Sequence, residues 1–218
     1  MTAPPKRWTF GVEPLPQTVT VAGLLRRIAD LVVALEDEDD EVERLITTLR
    51  TAEERLAARV PADPRPRIGE LAGSADGRVY VDHARHVGAF NPCFPEYTIE
   101  VDGDRAAGTV TFPLAFEGPP GIVHGGVLGV FFDLVMQHHN CDVGVAGKTA
   151  SLALRYRRPT PLLTELRFSL ARTVDDGRIT STGHLSAHDG TVLCEAEMHA
   201  IAGNLAALPP VSPRRTGR

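Results

Sequence analysis

The chain has 218 residues, of which 43% are hydrophobic and 23% charged, a composition typical of a folded globular protein with one substantial core. Its formal net charge of -5 gives no electrostatic reason to bind nucleic acid or an anionic membrane. No apolar run approaches the roughly 20 residues that span a bilayer, and the N-terminus lacks the apolar core of a secretion signal, so a cytoplasmic protein is expected.

The N-terminal part of the chain is predicted to be helical. Residues 1–18 are rich in proline and lack periodicity, which predicts an irregular arm. Hydrophobic residues three and four apart then predict two amphipathic helices, joined as a hairpin over residues 19–60. An acidic run separates the helices, and Asp39 or Asp40 is expected to cap the second one. The apolar stripe of the second helix consists of Val42, Leu45, Ile46, Leu49 and Leu56.

The main domain is predicted over residues 75–203, followed by a disordered tail at 204–218. Strands are predicted at 97–101, 108–114, 149–157, 166–174, 179–187 and 192–201, with hairpin turns at "DDGR" and "HDG". A helix that is apolar nearly all round lies between the second and third strands. One antiparallel sheet wrapped around this central helix buries it, so the predicted fold class is α+β.

The cysteines and histidines give no metal-binding pattern. Cys93, Cys141 and Cys194 lack metal-like spacing and are expected to be reduced core residues. His138 and His139 point about 100° apart on a helix, so they cannot form a metal pair. They are predicted to end the central helix, where histidine suits the negative end of the helix dipole.

The central helix, predicted over residues 126–139, carries a single carboxylate, Asp133. One stripe of the helix is formed by Gly126, Gly129, Val130, Asp133 and Gln137. Helical side chains lean towards the N-terminus, so the space above Asp133 belongs to Gly129. A glycine inside a helix costs about 1 kcal/mol relative to alanine, so the space beside the acid has a reason other than helix stability.

The start of this helix is predicted to bind negative charge. After "GPPGIVHGG", the backbone amides of Gly126 and Val127 are expected to be unpaired at the positive end of the helix dipole. Such donors could polarise a carbonyl and hold the charge that develops when it is attacked. Asp133 lies two and a half turns beyond His124, about 13 Å along the axis, too far to act on the same carbonyl. This separation predicts a dimer in which the amides of one helix face the acid of another.

Structural interpretations of the same residues stay open at this point. A buried aspartate is more often a hydrogen-bond acceptor than a catalyst, and a glycine pair can simply make the turn into a helix. His124 is better explained as an orienting or packing residue than as a general base.

The segments "FEGPPGIVHGGVLGVFFD" and "TASLALRYRRPTPL" resemble the hotdog-fold acyl-CoA thioesterases, in the branch that includes the phenylacetyl-CoA and long-chain acyl-CoA types. The resemblance covers about residues 90–202. It depends on His-Gly-Gly, an acid nine residues after the histidine, and then Tyr-Arg-Arg-Pro and Pro-Leu. It implies a hotdog fold, an acyl-CoA substrate, and a homodimer or dimer of dimers with two sites at the subunit interface.

The resemblance also implies roles for individual residues. Asp133 matches the acid that activates water or attacks the thioester, and Gly125 or Gly126 matches the amide of the oxyanion hole. Thr149 falls where relatives have a serine or threonine that helps to place the water, and His124 matches the histidine that holds the loop. Candidate substrate-binding residues are Asn91, Val127, Gly129 and, as cations for the CoA phosphates, Arg155, Arg157 and Arg158.

The chain departs from part of the family at Glu117 and Gly118, where several relatives have an asparagine or glutamine that supports the water or carbonyl. The predicted activity is hydrolysis of an acyl-CoA to a free acid and CoA, without a metal or redox cofactor. The alternative is a non-catalytic hotdog dimer that binds an acyl or polyketide-like ligand. A hydratase of the same fold ranks last, because the chain lacks the Asp-x-x-x-x-His spacing.

Overall fold

The computed structural model describes residues 16–59, 67–68, 86–144, 147–202 and 212–213. Its helices are α1 (Pro16–Val33), α2 (Asp40–Ala57), α3 (Val87–Phe90) and α4 (Gly125–Asp142), and a short 3-10 helix spans Leu114–Phe116. Its strands are β1 (Arg67–Ile68), β2 (Glu100–Asp102), β3 (Arg105–Thr111), β4 (Gly147–Tyr156), β5 (Glu165–Asp175), β6 (Arg178–Ser186), β7 (Val192–Ala202) and β8 (Ser212–Pro213). None of the described helices is long and apolar enough to cross a membrane.

The core of the protein is an antiparallel sheet packed against α4. Six strands follow the order β2-β3-β5-β6-β7-β4, and each hydrogen-bonds antiparallel to its neighbours. Side chains of β5 alternate between buried and exposed, so one face of the sheet covers α4 and the other points outwards. The predicted α+β architecture, one antiparallel sheet around one central helix, is therefore confirmed.

Close contact between α4 and the sheet requires a glycine on β6. A Cβ built at Gly183 would lie 2.8 Å from Leu170 Cδ2 and 2.9 Å from both Met136 Cε and Phe132 Cε1. These three side chains belong to the core, so they have little room to move. The missing side chain lets the helix approach the middle of the sheet.

The first hairpin differs from the prediction, whereas the last four strands agree with it to within two residues. The chain turns at Gly103, which has a φ of +53°, so β2 and β3 are offset from the predicted 97–101 and 108–114. Tyr97 keeps only an isolated bridge to Val110. The Asp-Gly pair at this turn is the same signal that marked the other hairpins.

α1 begins at Pro16, so the last three residues of the predicted arm are helical, and residues 1–15 lie outside the described part of the chain. Proline suits a first helical turn, because its missing N–H would have no partner there. Asp39 caps α2 as one of the two predicted candidates, accepting a hydrogen bond from the Glu41 amide at 2.7 Å. No side chain of α2 is buried, so its apolar stripe is not covered within the described residues.

Arg26 holds α1 against the segment around α3. Its side chain is buried and donates to the carbonyl oxygens of Gly88, Asn91 and Phe94 at 2.6, 3.1 and 3.1 Å. It also pairs with the exposed Glu96 carboxylate at 3.1 Å. A buried guanidinium that satisfies three carbonyls fixes the position of this helix.

The C-terminal end of α4 also differs from the prediction. The helix continues to Asp142, and His138 and His139 are buried inside the protein rather than placed at its end. His138 Nδ1 bonds the Tyr97 hydroxyl at 2.8 Å, and His139 Nε2 bonds the Gly103 carbonyl at 2.9 Å. Packing against the first hairpin therefore extends the helix by three residues.

Two smaller predictions are corrected. Cys141 and Cys194 are buried as expected, but Cys93 is exposed because it lies in the loop after α3. Of the tail predicted to be disordered, Ser212–Pro213 pairs with Arg67–Ile68 in parallel, and the rest lies outside the described residues.

Candidate active site

α4 is buried on most sides and open along one stripe. Gly126 and Val130 are exposed, and Gly129, Asp133 and Gln137 are half-buried. The buried residues of the helix are Leu128, Phe131, Phe132, Leu134, Val135, Met136, His138, His139, Asn140 and Cys141. The stripe predicted from helical spacing is therefore the open side of the helix.

Asp133 is held by a side chain from the sheet. The Thr149 hydroxyl donates to Asp133 Oδ1 at 2.7 Å. The pairing of β4 with β7 shifts register between Thr149 and Ser151, a bulge that re-aims the side chains on either side of it. The structure thus brings together two of the predicted catalytic residues.

Gln137 extends this contact and was not among the predicted site residues. Its Nε2 donates to Thr149 Oγ1 at 2.8 Å and to the Gly147 carbonyl at 3.0 Å. Its place four residues after Asp133, on the same side of the helix, is the only signal that the sequence offers. A hydrogen-bonded row therefore runs from Gly147 through Gln137 and Thr149 to Asp133.

The two amides predicted to be unpaired at the helix start are both used within the chain. His124 is the N-cap of α4, and its Nδ1 accepts from the Gly126 N–H at 3.0 Å. The Val127 N–H donates to the His124 carbonyl at 2.9 Å. The prediction of unpaired Gly126 and Val127 amides is therefore wrong, because His124 supplies both acceptors. The N–H of Gly125 has no hydrogen-bond partner among the described residues.

The Gly125–Gly126 peptide is held at both ends. Tyr156 donates its hydroxyl to the Gly125 carbonyl at 3.0 Å, while the Gly126 N–H is bound by His124. Because Nδ1 of His124 accepts a hydrogen, the neutral ring carries its own hydrogen on Nε2. The helix start therefore offers the Gly125 N–H and the His124 Nε2–H as donors.

The loop before the helix is closed on itself. The Glu117 carboxylate accepts from the Gly121 N–H at 2.6 Å, and the His124 N–H donates to the Phe116 carbonyl at 2.9 Å. A Cβ at Gly118 would lie 2.8 Å from His124 Cα, so the loop packs tightly on this histidine. Glu117 thus supports its own loop.

Asp133 and the helix start are far apart in one protomer. Asp133 lies eight residues beyond Gly125 on the same helix, about 12 Å along its axis. Between them, a Cβ at Gly129 would contact only Leu154 Cδ1, at 3.9 Å. The packing of the described residues does not require this glycine. Val127, another predicted substrate-binding residue, is half-buried and packs against the core.

Arg155 and Arg157 lie on the side of β4 that faces away from α4. Leu152 and Leu154 pack against the core and Tyr156 reaches Gly125, so the residues alternating with them point outwards. Within one protomer, these two arginines are therefore on the opposite face of the sheet from Asp133.

The guanidinium of Arg157 has a partner. Its Nε and Nη2 donate to Glu195 Oε2 at 3.0 and 2.7 Å. This hydrogen bond holds the pKa of the Glu195 carboxyl below its ordinary value and raises the pKa of Arg157. Arg158 is exposed just beyond the strand, with its backbone N–H bound to the Leu193 carbonyl at 3.1 Å.

Asn91 lies in the loop after α3. Its Oδ1 accepts from the Cys93 N–H at 3.0 Å, and its carbonyl accepts from Arg26 at 3.1 Å. These hydrogen bonds hold the loop together, and none of them reaches α4.

Comparison with known proteins points to one superfamily. The crystal structure of a thioesterase superfamily protein matches with a TM-score of 0.70 and 29% sequence identity, over 88% of this chain and 98% of that one. No protein-family model matches the sequence, and no curated protein is significantly similar to it. The structural neighbours are thus thioesterase superfamily proteins, and the hotdog fold implied by the sequence is confirmed.

Shorter matches include two bacterial proteins. A hypothetical thioesterase from Streptococcus pneumoniae TIGR4, crystallised with coenzyme A, is 19% identical and covers 50% of this chain and 90% of its own, with a TM-score of 0.47. A phenylacetic acid degradation-related protein from Ralstonia eutropha JMP134, described as a putative thioesterase, is 25% identical over 49% of this chain and 84% of its own, with a TM-score of 0.45. Of these three matches, only the first exceeds a TM-score of 0.5, so the likeness depends on it.

Proposed function

Because the chain has the hotdog fold and its structural neighbours are thioesterase superfamily proteins, we propose that it is a thioesterase that hydrolyses acyl-CoA to a free acid and CoA. The observation that carries this proposal is Asp133, a half-buried carboxylate on the open stripe of α4 that is oriented by the Thr149 hydroxyl at 2.7 Å. An acid placed only for stability has no reason to lie beside a helical glycine that its own chain does not need.

The proposed enzyme is a homodimer, or a dimer of dimers, with sites shared between subunits. Asp133 and the donors near Gly125 are too far apart on one helix to act on one carbonyl. β4 is a 10-residue strand that pairs only with β7 among the described strands, so we propose that its other edge pairs with a second copy. Pairing along β4 would bring a second α4 beside the open stripe, with the helix start of one copy facing Asp133 of the other.

In the proposed reaction, the thioester carbonyl oxygen accepts hydrogen bonds from the Gly125 N–H and the His124 Nε2–H of one subunit. Asp133 of the other subunit takes a proton from a water molecule that attacks the carbonyl carbon. The C–S bond then breaks, and the CoA sulfur leaves as a thiol after receiving the proton. In a second route, Asp133 attacks the carbonyl carbon itself, the C–S bond breaks as the CoA thiolate leaves, and water then hydrolyses the resulting anhydride to the free acid and the Asp133 carboxylate.

Substrate binding is proposed along the same edge. The space at Gly129, beside Val130 and Leu154, is apolar and suits the acyl group next to the thioester. Arg155 and Arg158 are the candidates for the CoA phosphates. Arg157 is a weaker candidate, because Glu195 already neutralises it.

Asp133→Asn tests the proposal directly. The variant keeps the size of the side chain but removes the base, so thiol release from acyl-CoA should fall by about 10²–10⁴-fold. A panel of acyl-CoAs with different chain lengths, assayed with a thiol reagent, measures this loss and identifies the acyl preference. Asp176→Asn, at an exposed turn with a φ of 43°, is the matched control and should keep full activity.

Full turnover by Asp133→Asn with its melting temperature unchanged would contradict the mechanism. Tight acyl-CoA binding by the wild-type protein without any release of thiol would instead establish the non-catalytic binding module.

A further inference from the structure

We propose that Gln137 is a positioning residue that sets the direction of the Thr149 hydroxyl and so decides which oxygen of Asp133 can react. The inference deepens the proposed thioesterase function and rests on it. The evidence is the row of hydrogen bonds that runs from Gly147 to Asp133.

The Gly147 carbonyl fixes the orientation of the Gln137 amide. A carbonyl oxygen only accepts hydrogen bonds, so the Gln137 atom 3.0 Å from it must be the nitrogen. In the reversed orientation, two acceptor oxygens would face each other. The NH₂ group would then lie where Oε1 lies now, buried and without a hydrogen-bond partner.

This orientation of the amide determines the direction in which the Thr149 hydroxyl donates its hydrogen. The two hydrogens of the Gln137 amide go to Gly147 O and Thr149 Oγ1, so the threonine oxygen accepts from this side. Its single hydrogen then goes to Asp133 Oδ1 at 2.7 Å, because a carboxylate is a much stronger acceptor than the Met198 sulfur at 3.6 Å. The row therefore has one direction, from the amide towards the carboxylate.

The direction has a chemical consequence at Asp133. Its Oδ1 is engaged by Thr149, and its Oδ2 has no hydrogen-bond partner among the described residues. Oδ2 is therefore the atom that takes the proton or attacks the thioester. Thr149 keeps one unused lone pair, which can accept a hydrogen from the attacking water and hold it near Oδ2.

Gln137→Met and Gln137→Glu test the proposal. Methionine keeps the length of the side chain without its hydrogen-bonding groups, and the new glutamate accepts the Thr149 hydrogen and draws it away from Asp133. Both variants should lower kcat by about tenfold and leave KM within about twofold, because a misdirected base affects the chemical step rather than binding. A purely structural defect would instead lower the melting temperature and the amount of active enzyme.

A double-mutant cycle with Thr149→Val further separates a positioning role of Gln137 from a purely structural one. If Gln137 acts only through Thr149, the double variant Gln137→Met/Thr149→Val is no slower than Thr149→Val alone. Thr180→Val is the matched control, because it removes a threonine hydroxyl contact to His199 of 3.2 Å on the outer side of the sheet, and it should keep wild-type kcat. The proposal would be overturned if the loss of kcat in the double variant equalled the product of the losses in the two single variants. It would also be overturned if Gln137→Met kept the wild-type kcat.

A crystal structure of Gln137→Glu gives a readout that needs no activity. We expect the Thr149 hydroxyl oxygen to move from Asp133 Oδ1 towards the new carboxylate in this variant, and an unchanged 2.7 Å contact would overturn the positioning role. If the wild-type protein releases no thiol from any acyl-CoA, the proposed function fails, and this structural result alone decides the role of Gln137.

Discussion

Gly129 lies one helical turn before Asp133, at a position where an alanine would fit. A Cβ there meets only Leu154 Cδ1 at 3.9 Å, an ordinary van der Waals contact. The glycine therefore weakens α4 without serving the packing of its own chain. Because the described residues leave this space open, we propose that it gives room to a neighbouring copy or to a ligand.

Gly129→Ala should separate stability from activity. We expect the free energy of unfolding to rise by up to about 1 kcal/mol, because alanine favours the helix. We also expect kcat/KM to fall by about tenfold, since one methyl group in a binding pocket is worth 1–3 kcal/mol. Urea unfolding and thiol release measure the two effects.

Gly23→Ala is the control for this prediction. Gly23 also lies inside a helix, and its Cβ would meet only the flexible Arg27 guanidinium at 3.3 Å. It should stabilise α1 and leave turnover unchanged. An alanine at position 129 that is as active as glycine would show that the space has no part in binding.

At the scale of elements, α4 is tied at its C-terminal end to the hairpin of β2 and β3. His139 is fully buried and its Nε2 bonds the Gly103 carbonyl at 2.9 Å, while its Nδ1 has no hydrogen-bond partner in the described part of the chain. Burial, reinforced by the positive charge of Arg172, lowers the pKa of His139 below its ordinary value of 6.5. The folded protein therefore binds a proton at this histidine less readily than the unfolded chain does.

This histidine should make the protein less stable in acid. Below pH 6.5 the unfolded chain binds a proton at His139 that the folded chain does not, so the free energy of unfolding falls as the pH falls towards the folded-state pKa. Above that pH both states are neutral and the contribution is constant. Unfolding in urea between pH 5 and 8, compared for wild type and His139→Gln, measures it, and equal slopes below pH 6.5 would contradict it.

Strand β4 shows most clearly how much of the candidate site could be predicted from the sequence. Asp133 and its stripe could be predicted because helical spacing fixes which residues share a side. Thr149, Arg155 and Arg157 are all odd-numbered, so simple alternation puts them on one face of a strand. The bulge between Thr149 and Ser151 breaks that alternation, turning Thr149 towards α4 and both arginines away.

The start of α4 shows a second limit on what can be predicted from the sequence. Whether the Gly126 N–H is free depends on the rotamer of His124, whose Nδ1 accepts it, and no spacing encodes a rotamer. The fold was more predictable, since the apolar helix and the four strands after it follow from composition and turn signals. Only the turn at Gly103 displaced the first hairpin.

At the scale of the whole molecule, the proposed mechanism needs two copies of the chain, and this can be tested at the helix start. Gly125 is the first residue of α4, and its N–H is the proposed donor to the carbonyl. Proline suits the first position of a helix, and His124, with φ of -60° and ψ of 131°, already has the extended backbone that precedes proline. A Cβ at position 125 would lie 3.1 Å from the Tyr156 hydroxyl oxygen, so that side chain has to shift slightly. Gly125→Pro should then remove the donor and keep the fold, which an unchanged melting temperature would check.

Mixing the two inactive variants should restore activity. Homodimers of Gly125→Pro and of Asp133→Asn each lack one part of every site. A hybrid dimer of the two has one site with both defects and one intact site, so it should regain about half of the wild-type activity if the sites are shared. Differently tagged subunits, co-expressed and purified through both tags, provide the hybrid. A hybrid as inactive as its parents would show that each chain carries its own complete site.

Gly125, whose N–H is the proposed donor, is held in place before any substrate arrives, because the Tyr156 hydroxyl binds its carbonyl and the His124 ring binds the next N–H along the chain. A dipole that is already aligned does not have to rotate while negative charge grows on the thioester oxygen, so the reorganisation energy that water would require is absent from the barrier. If the proposed reaction is correct, folding of the chain rather than arrival of the ligand sets the electrostatic environment of its transition state.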